Sequence, residues 1–177
     1  MKSVMLTIRL KWFYLTYKGI KTIEVRKSYP KDFVGDVYEV VSKTNFEKDL
    51  MEIPENEREF FKQFKGKVGL KFTLNKVEEI HQNYQIELGS WRYYENEETI
   101  EELACLDNGD LQDYLDMKTG YAWHISNLEI FDKPKELSGF YGNKQYFVGC
   151  GNGIDKTPRY ARLTKAPQSW QFIESEE

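Results

Sequence analysis

The chain has 177 residues, a mass of 21.0 kDa and a formal net charge of -4, a size that suits one domain with an ample core and a charge that argues against a generic polyanion binder. No apolar run approaches the roughly 18 residues a membrane span needs, and no signal peptide is evident, so a soluble cytoplasmic protein with no membrane partner is expected. Two cysteines, Cys105 and Cys150, and two histidines, His81 and His124, offer no paired spacing for zinc or redox chemistry, so no metal and no other cofactor is expected.

In chain order, Met5 to Leu10 alternates well enough for a first strand, and Lys11 to Lys18 places Trp12 and Leu15 at helical spacing with Tyr14 and Tyr17 flanking. Gly19 stops that helix, since a left-handed conformation is cheap there. A second strand enters near Thr22 and ends at Tyr29-Pro30; Phe33 to Asp36 turns into a third strand, Val37 to Ser42. Residues 45 to 65 are charged, with phenylalanine anchors and a short helix from Glu55 to Phe64 after Pro54. Lys65-Gly66-Lys67 is a turn, and Val68 to Ile80 alternates as one long strand.

From Gln82 to Gly120 the chain turns acidic, and Ile100, Leu103, Leu106 followed by Leu111, Tyr114, Leu115 predict two short amphipathic helices broken at Asn108-Gly109. The segment at about 82–118 reads as a helical insertion or cover, and as a possible partner surface. Tyr121 to Phe131 returns to strand, with Tyr121 and Trp123 on one face and Ala122 and His124 on the other, ended by Pro134. A turn at Glu136 to Phe140, a loop through Gly149, Gly151 and Gly153, and a last strand around Trp170 to Ile173 complete the chain. That loop lacks the Gly-Lys-Ser/Thr ending of a phosphate cradle, and neither histidine is placed to activate Cys150.

Charge is uneven. Residues 1 to 31 carry eight Lys or Arg against one acid and residues 141 to 173 carry five against one, while 32 to 140 carry twelve against twenty-four. If the fold brings the basic ends together, they form one positive face able to attract phosphates. An aromatic share of 15% suggests aromatic-lined surfaces as well as core.

The stretch of most chemical interest is Gly19 to Arg26. Strand geometry sends Ile23 and Val25 to one face and Glu24 and Arg26 to the other, with Lys21 at the strand's start. The simplest reading is a half-buried strand with its polar face in water. A lysine acts as nucleophile only when burial or a neighbouring cation frees its amine, whereas a close carboxylate keeps it charged. Glu24 therefore favours a Lys21 that binds, unless Arg26 engages Glu24 through a two-pronged pair.

The order Gly19-x-Lys21-x-x-Glu24-x-Arg26, then Gly35-Asp36, Gly66-Lys67-Val68, Tyr121-Ala122-Trp123-His124-Ile125 and Pro167-Gln168-Ser169-Trp170 resembles the ASCH domain family of the PUA-like superfamily, over nearly the whole chain. The resemblance implies a single α+β domain spanning 1–177: a mostly antiparallel β-barrel with flanking helices and a cleft lined by the first motif. It implies binding of RNA or a modified nucleotide, with Lys21, Arg26 and Lys27 on phosphates, Glu24 accepting from a base amino group, and Tyr14, Tyr29 or Trp123 stacking on a base. A branch of the family resembles amidohydrolases of acetylated cytidine, in which the motif lysine is nucleophile, a threonine stands where this chain has Glu24, and a later strand supplies a glutamate. Lys21 matches and Glu24 does not, and the later glutamate is open among Glu78, Glu79 and Glu87; ribonuclease activity is a further alternative. If the chain is an enzyme, Lys21 and Glu24 are the reacting pair.

Overall fold

Four successive residues of strand β1 (Lys2–Ile8), Ser3 to Leu6, are buried, so both faces of the strand are covered and it belongs in the middle of a sheet rather than at its edge. The computed structural model, which describes residues 1–85, 90–95, 98–146, 149–150, 153–154 and 159–174, places β1 between β3 (Gly35–Val41) and β14 (Trp170–Glu174). β1 runs parallel to β3, from Val4↔Val37 to Ile8↔Val41, and antiparallel to β14, from Lys2↔Glu174 to Leu6↔Trp170. The first and last strands of the described chain are thus direct neighbours, the arrangement on which a shared basic face depends.

The full sheet has seven strands in the order β13 (Arg159–Arg162), β10 (Tyr141–Tyr146), β14, β1, β3, β4 (Val68–Leu74), β9 (Ser126–Lys135). A second sheet runs β2 (Ile23–Arg26), β8 (Gly120–His124), β5 (Val77–Gln85), β6 (Ser90–Glu95), β7 (Glu98–Thr99), antiparallel at each described pairing, and a two-stranded ribbon joins β11 (Gly149–Cys150) to β12 (Gly153–Ile154). Helices and mostly antiparallel sheets make the fold α+β, the class the sequence leads one to expect. The chain divides into two compact units, Met1–Phe13 with Gly35–Lys71 and Glu129–Glu177, and Tyr14–Val34 with Phe72–Leu128.

In the first unit Met5, Tyr38, Val40, Val68, Phe131, Phe140 and Ile173 form one buried cluster. Helices α2 (Phe46–Glu52) and α3 (Glu55–Phe61) follow β3, and a 3-10 turn at Lys62–Phe64 closes the helix expected from Glu55. Arg9 grips the fully buried Asp49 of α2 with two guanidinium nitrogens, a two-pronged pair that satisfies the buried carboxylate. Gly69 lets Phe13 and Phe64 close over β4, because a Cβ there would lie 2.4 Å from the Phe13 ring.

The second unit buries Ile23, Val25, Ile80, Tyr93 and Ala122 beneath Ile100, Ala104, Leu111 and Leu115. The last four belong to the turn before α4 (Glu101–Ala104), to α4 and to α5 (Asn108–Leu115), the two short amphipathic helices that periodicity predicts, except that the break falls at Cys105 to Asp107 and the expected breakers Asn108-Gly109 open α5. Asp107 caps α5 by accepting from the Asp110 amide at 2.7 Å, the usual way a helix start is satisfied. Gly19 follows α1 (Leu10–Tyr17) at φ 70° and is the helix stop expected of it.

Three readings of the sequence need correction. The long strand Val68 to Ile80 is two strands of different sheets, broken at Asn75-Lys76, residues with low strand propensity. Residues 82 to 99 of the supposed helical insertion are strand wherever described, with His81↔Tyr94 to Gln85↔Ser90 in register; acidic composition hid the alternating aromatic residues Trp91 and Tyr93. The strand from Tyr121 is likewise interrupted at Ile125, and Pro134 lies inside β9 rather than after it. Gly151 and Asn152 of the glycine-rich loop lie outside the described residues. Among the described residues, no helix is long and apolar enough to cross a membrane.

Candidate functional site

β2 is four residues long, and its register against β8 fixes what the motif side chains meet. Glu24 lies opposite Trp123 and Arg26 opposite Tyr121, while Val25 lies opposite Ala122; directly paired residues share a face. Val25 and Ala122 enter the core. Alternation alone would leave Glu24 facing water, yet it is 5% exposed, and Lys21 is 3% exposed. The simple expectation of a solvated polar face does not hold.

Burial without partners would be prohibitive, and the three charges supply them. Glu24 Oε2 lies 3.2 Å from Lys21 Nζ, and its Oε1 lies 2.7 Å from an Arg26 guanidinium nitrogen. Lys21 Nζ also donates to the Ile23 carbonyl at 2.5 Å and to the Ala104 carbonyl at 3.0 Å. All three ammonium donors therefore have acceptors, one of them at the end of α4. Burial pushes the Glu24 pKa up, but Lys21 and Arg26 together outweigh it and hold the carboxyl below its ordinary value. The cluster is an ionised, closed cation–anion–cation chain.

Its outer end is different. The Arg26 side chain keeps 12% of its surface exposed and hydrogen-bonds Tyr114 of α5, whose hydroxyl is pushed up by burial against the pull of Arg26. Lys27 is exposed and its ammonium lies 5.2 Å from the centre of the Tyr114 ring, within cation–π range. Tyr29 and Tyr121, both half-buried, pack with centroids 4.6 Å apart and planes tilted by 44°. Arg26, Lys27, Tyr29, Tyr114 and Tyr121 thus form a basic and aromatic corner supported by Lys21 and Glu24.

Of the residues expected to act together, the structure unites Lys21, Glu24 and Arg26 and places Lys27 and Tyr29 in the irregular segment after β2, which ends at Arg26 rather than at Tyr29-Pro30. Trp123 is fully buried beside Glu24 and forms a wall of the cluster; it has no surface on which a base could stack. Tyr14 stands on α1 with the Lys18 ammonium 5.5 Å from its ring centre. Sequence spacing marks Tyr114 as a helix residue and Tyr121 as a strand residue, and their role here comes from contacts between distant segments.

Of the candidate later glutamates, Glu79, opposite Tyr121, shares the face of Glu24 and Arg26, and Glu78 does not. Glu78 lies opposite Ala122, on the face away from Glu24, where it accepts from Lys76 at 2.5 Å and lies 3.2 Å from His124 Nε2. Glu79 lies opposite Tyr121 and is exposed. Glu87 lies outside the described residues. Cys105 caps α4 in a left-handed conformation, and burial raises its thiol pKa against the pull of Lys21, the opposite of what a nucleophilic thiol needs. Among the described residues, no group of three His, Cys, Asp or Glu could hold a metal ion.

No protein-family model matches the chain, and no curated protein matches it. Among solved structures, the crystal structure of ASCH from Zymomonas mobilis is similar at a TM-score of 0.49 and 10% sequence identity, covering 97% of this chain and 87% of that chain.

Proposed function

We propose that this protein is a nucleic-acid-binding module that holds RNA or a modified nucleotide at the Arg26–Lys27 corner. One observation carries the reading: two cations of adjacent residues stand among Tyr29, Tyr114 and Tyr121, with Arg26 held in place from beneath by the buried Glu24 and Lys21. Phosphates are drawn by Lys27 and the exposed edge of Arg26, and single-stranded bases stack on tyrosine faces. Glu24 and Lys21 are positioning residues in this reading, because both carboxylate oxygens and all three ammonium donors already have partners.

The hydrolase alternative asks Lys21 for an amine lone pair. An ammonium donating to two carbonyls and a carboxylate has none to offer, which favours binding over turnover; N4-acylated cytidine is expected to remain intact with purified protein. Anisotropy titration of labelled single-stranded RNA at several salt concentrations tests the binding reading. Affinity should fall steeply with salt, and Lys27→Ala should reduce the slope of log K against log salt by about one unit. A slope near zero, or one unchanged in the variant, would overturn it.

A further inference from the structure

Tyr84 of β5 and Trp91 of β6 lie directly opposite each other, so they share a face, and their rings meet edge to face at 5.5 Å. It is the face on which Ile80 and Tyr93 are fully buried against α4 and α5. Tyr84 is nevertheless 52% exposed and Trp91 47%: the helices cover one end of the hairpin and leave two rings in solvent at the other. Gln82, on the same face, donates to the sulfur of the exposed Met117 at 3.4 Å and extends the patch toward the end of α5. We propose that this aromatic shelf of the second unit, separate from the Arg26 corner, docks an arginine-bearing basic segment of a partner protein.

The charge beside the shelf identifies the occupant. Asn108 and Gln112 of α5 both donate to the Trp91 carbonyl, at 2.9 and 2.7 Å, which fixes the helix alongside the strand that carries the indole. From Glu101 to Met117 the chain has six acids and no Lys or Arg, so the helices that border the shelf are negative throughout. Arg92 takes Glu101, Lys118 takes Asp116, and Asp107 caps α5. Glu102, Asp110 and Asp113 are exposed and have no ion-pair partner among the described residues.

An exposed pair of rings suits a stacked base as well as a guanidinium. Unpaired carboxylates beside it repel phosphates and attract cations, which decides against nucleic acid and for a basic peptide. Arginine suits the site better than lysine, because its planar guanidinium stacks on an indole and forks onto a carboxylate, whereas an ammonium is compact and strongly hydrated. Tyrosine and tryptophan are also the side chains that protein interfaces favour.

The test is a titration of isotopically labelled full-length protein with a blocked hexapeptide of alternating arginine and glycine, followed at the Trp91 indole N–H and the amides of Tyr84, Gln112 and Asp113. These signals should move together and saturate, and the lysine–glycine peptide should bind more weakly. Tyr84→Ser with Trp91→Ser should weaken binding about fivefold, the size of an exposed cation–π contact. Asp110→Asn with Asp113→Asn should weaken it about threefold at low salt and less at high salt, and both variants should keep dispersed spectra because all four side chains are exposed. Absence of shifts at millimolar peptide, equal binding of a glutamate–glycine peptide, or unchanged affinity in both variants would overturn the proposal. Oligouridine that moves the Trp91 indole more tightly than the peptide does would also overturn it, whereas oligouridine shifts confined to Arg26, Lys27 and Tyr114 would support two separate surfaces.

Discussion

Replacing Glu24 with glutamine removes one negative charge from between two cations and changes almost nothing in volume. In the native chain Glu24 Oε2 and Oε1 meet Lys21 and Arg26 at 3.2 and 2.7 Å with the acid and the lysine almost wholly buried. Breaking a buried ion pair by removing one partner typically costs about 3–5 kcal/mol, because the other charge stays buried. Lys21 retains two backbone carbonyls and Arg26 retains Tyr114, which places the expected loss near the lower end, about 3 kcal/mol. Urea unfolding at several pH values reads it. Because the folded pKa of Glu24 lies below its ordinary value, the unfolded chain takes up a proton first as pH falls. Its contribution is therefore full above the unfolded pKa and is lost as pH drops through the folded one. The gap between native and Glu24→Gln protein should be widest at neutral pH and close on acidification. A loss below about 1 kcal/mol, or a gap equal at pH 7 and pH 3, would refute the closed-chain account.

Other expectations are simpler to check. Gly69→Ala should lower stability by about 1–3 kcal/mol in thermal unfolding, because its Cβ would meet the rings of Phe13 and Phe64 inside contact distance. The His124 ring should titrate below the ordinary histidine range in NMR, as burial and Lys76 favour the neutral form against the opposing pull of Glu78; titration at or above that range would contradict the placement. Tyr114→Ala should weaken single-stranded RNA binding by about 1–3 kcal/mol if a base stacks on that ring, with the salt slope unchanged.

The sequence carried the strands and stops that depend on neighbours a few residues away. Gly19, the β2 alternation and the helices over 101–115 follow from local spacing, and the structure reproduces them. What spacing could not reveal is depth. Glu24 looks like a surface residue by alternation, and its burial depends on Trp123 beside it and on a lysine whose ammonium reaches Ala104, 83 positions away. Trp123 misleads in the opposite sense, since an aromatic on a mixed strand can be wall or platform and only tertiary packing decides. Residues 82 to 99 were obscured by composition, because acidic residues have low strand propensity and the inward residue, Tyr93, is a single cue.

β2 also ends its sheet's strand order among the described residues, and an outer strand is a standing invitation for another chain to pair with it. At four residues it is a short template, and the side chains of Ile23, Glu24 and Val25 are buried rather than displayed. Shortness and depth, rather than surface charge, therefore guard this edge.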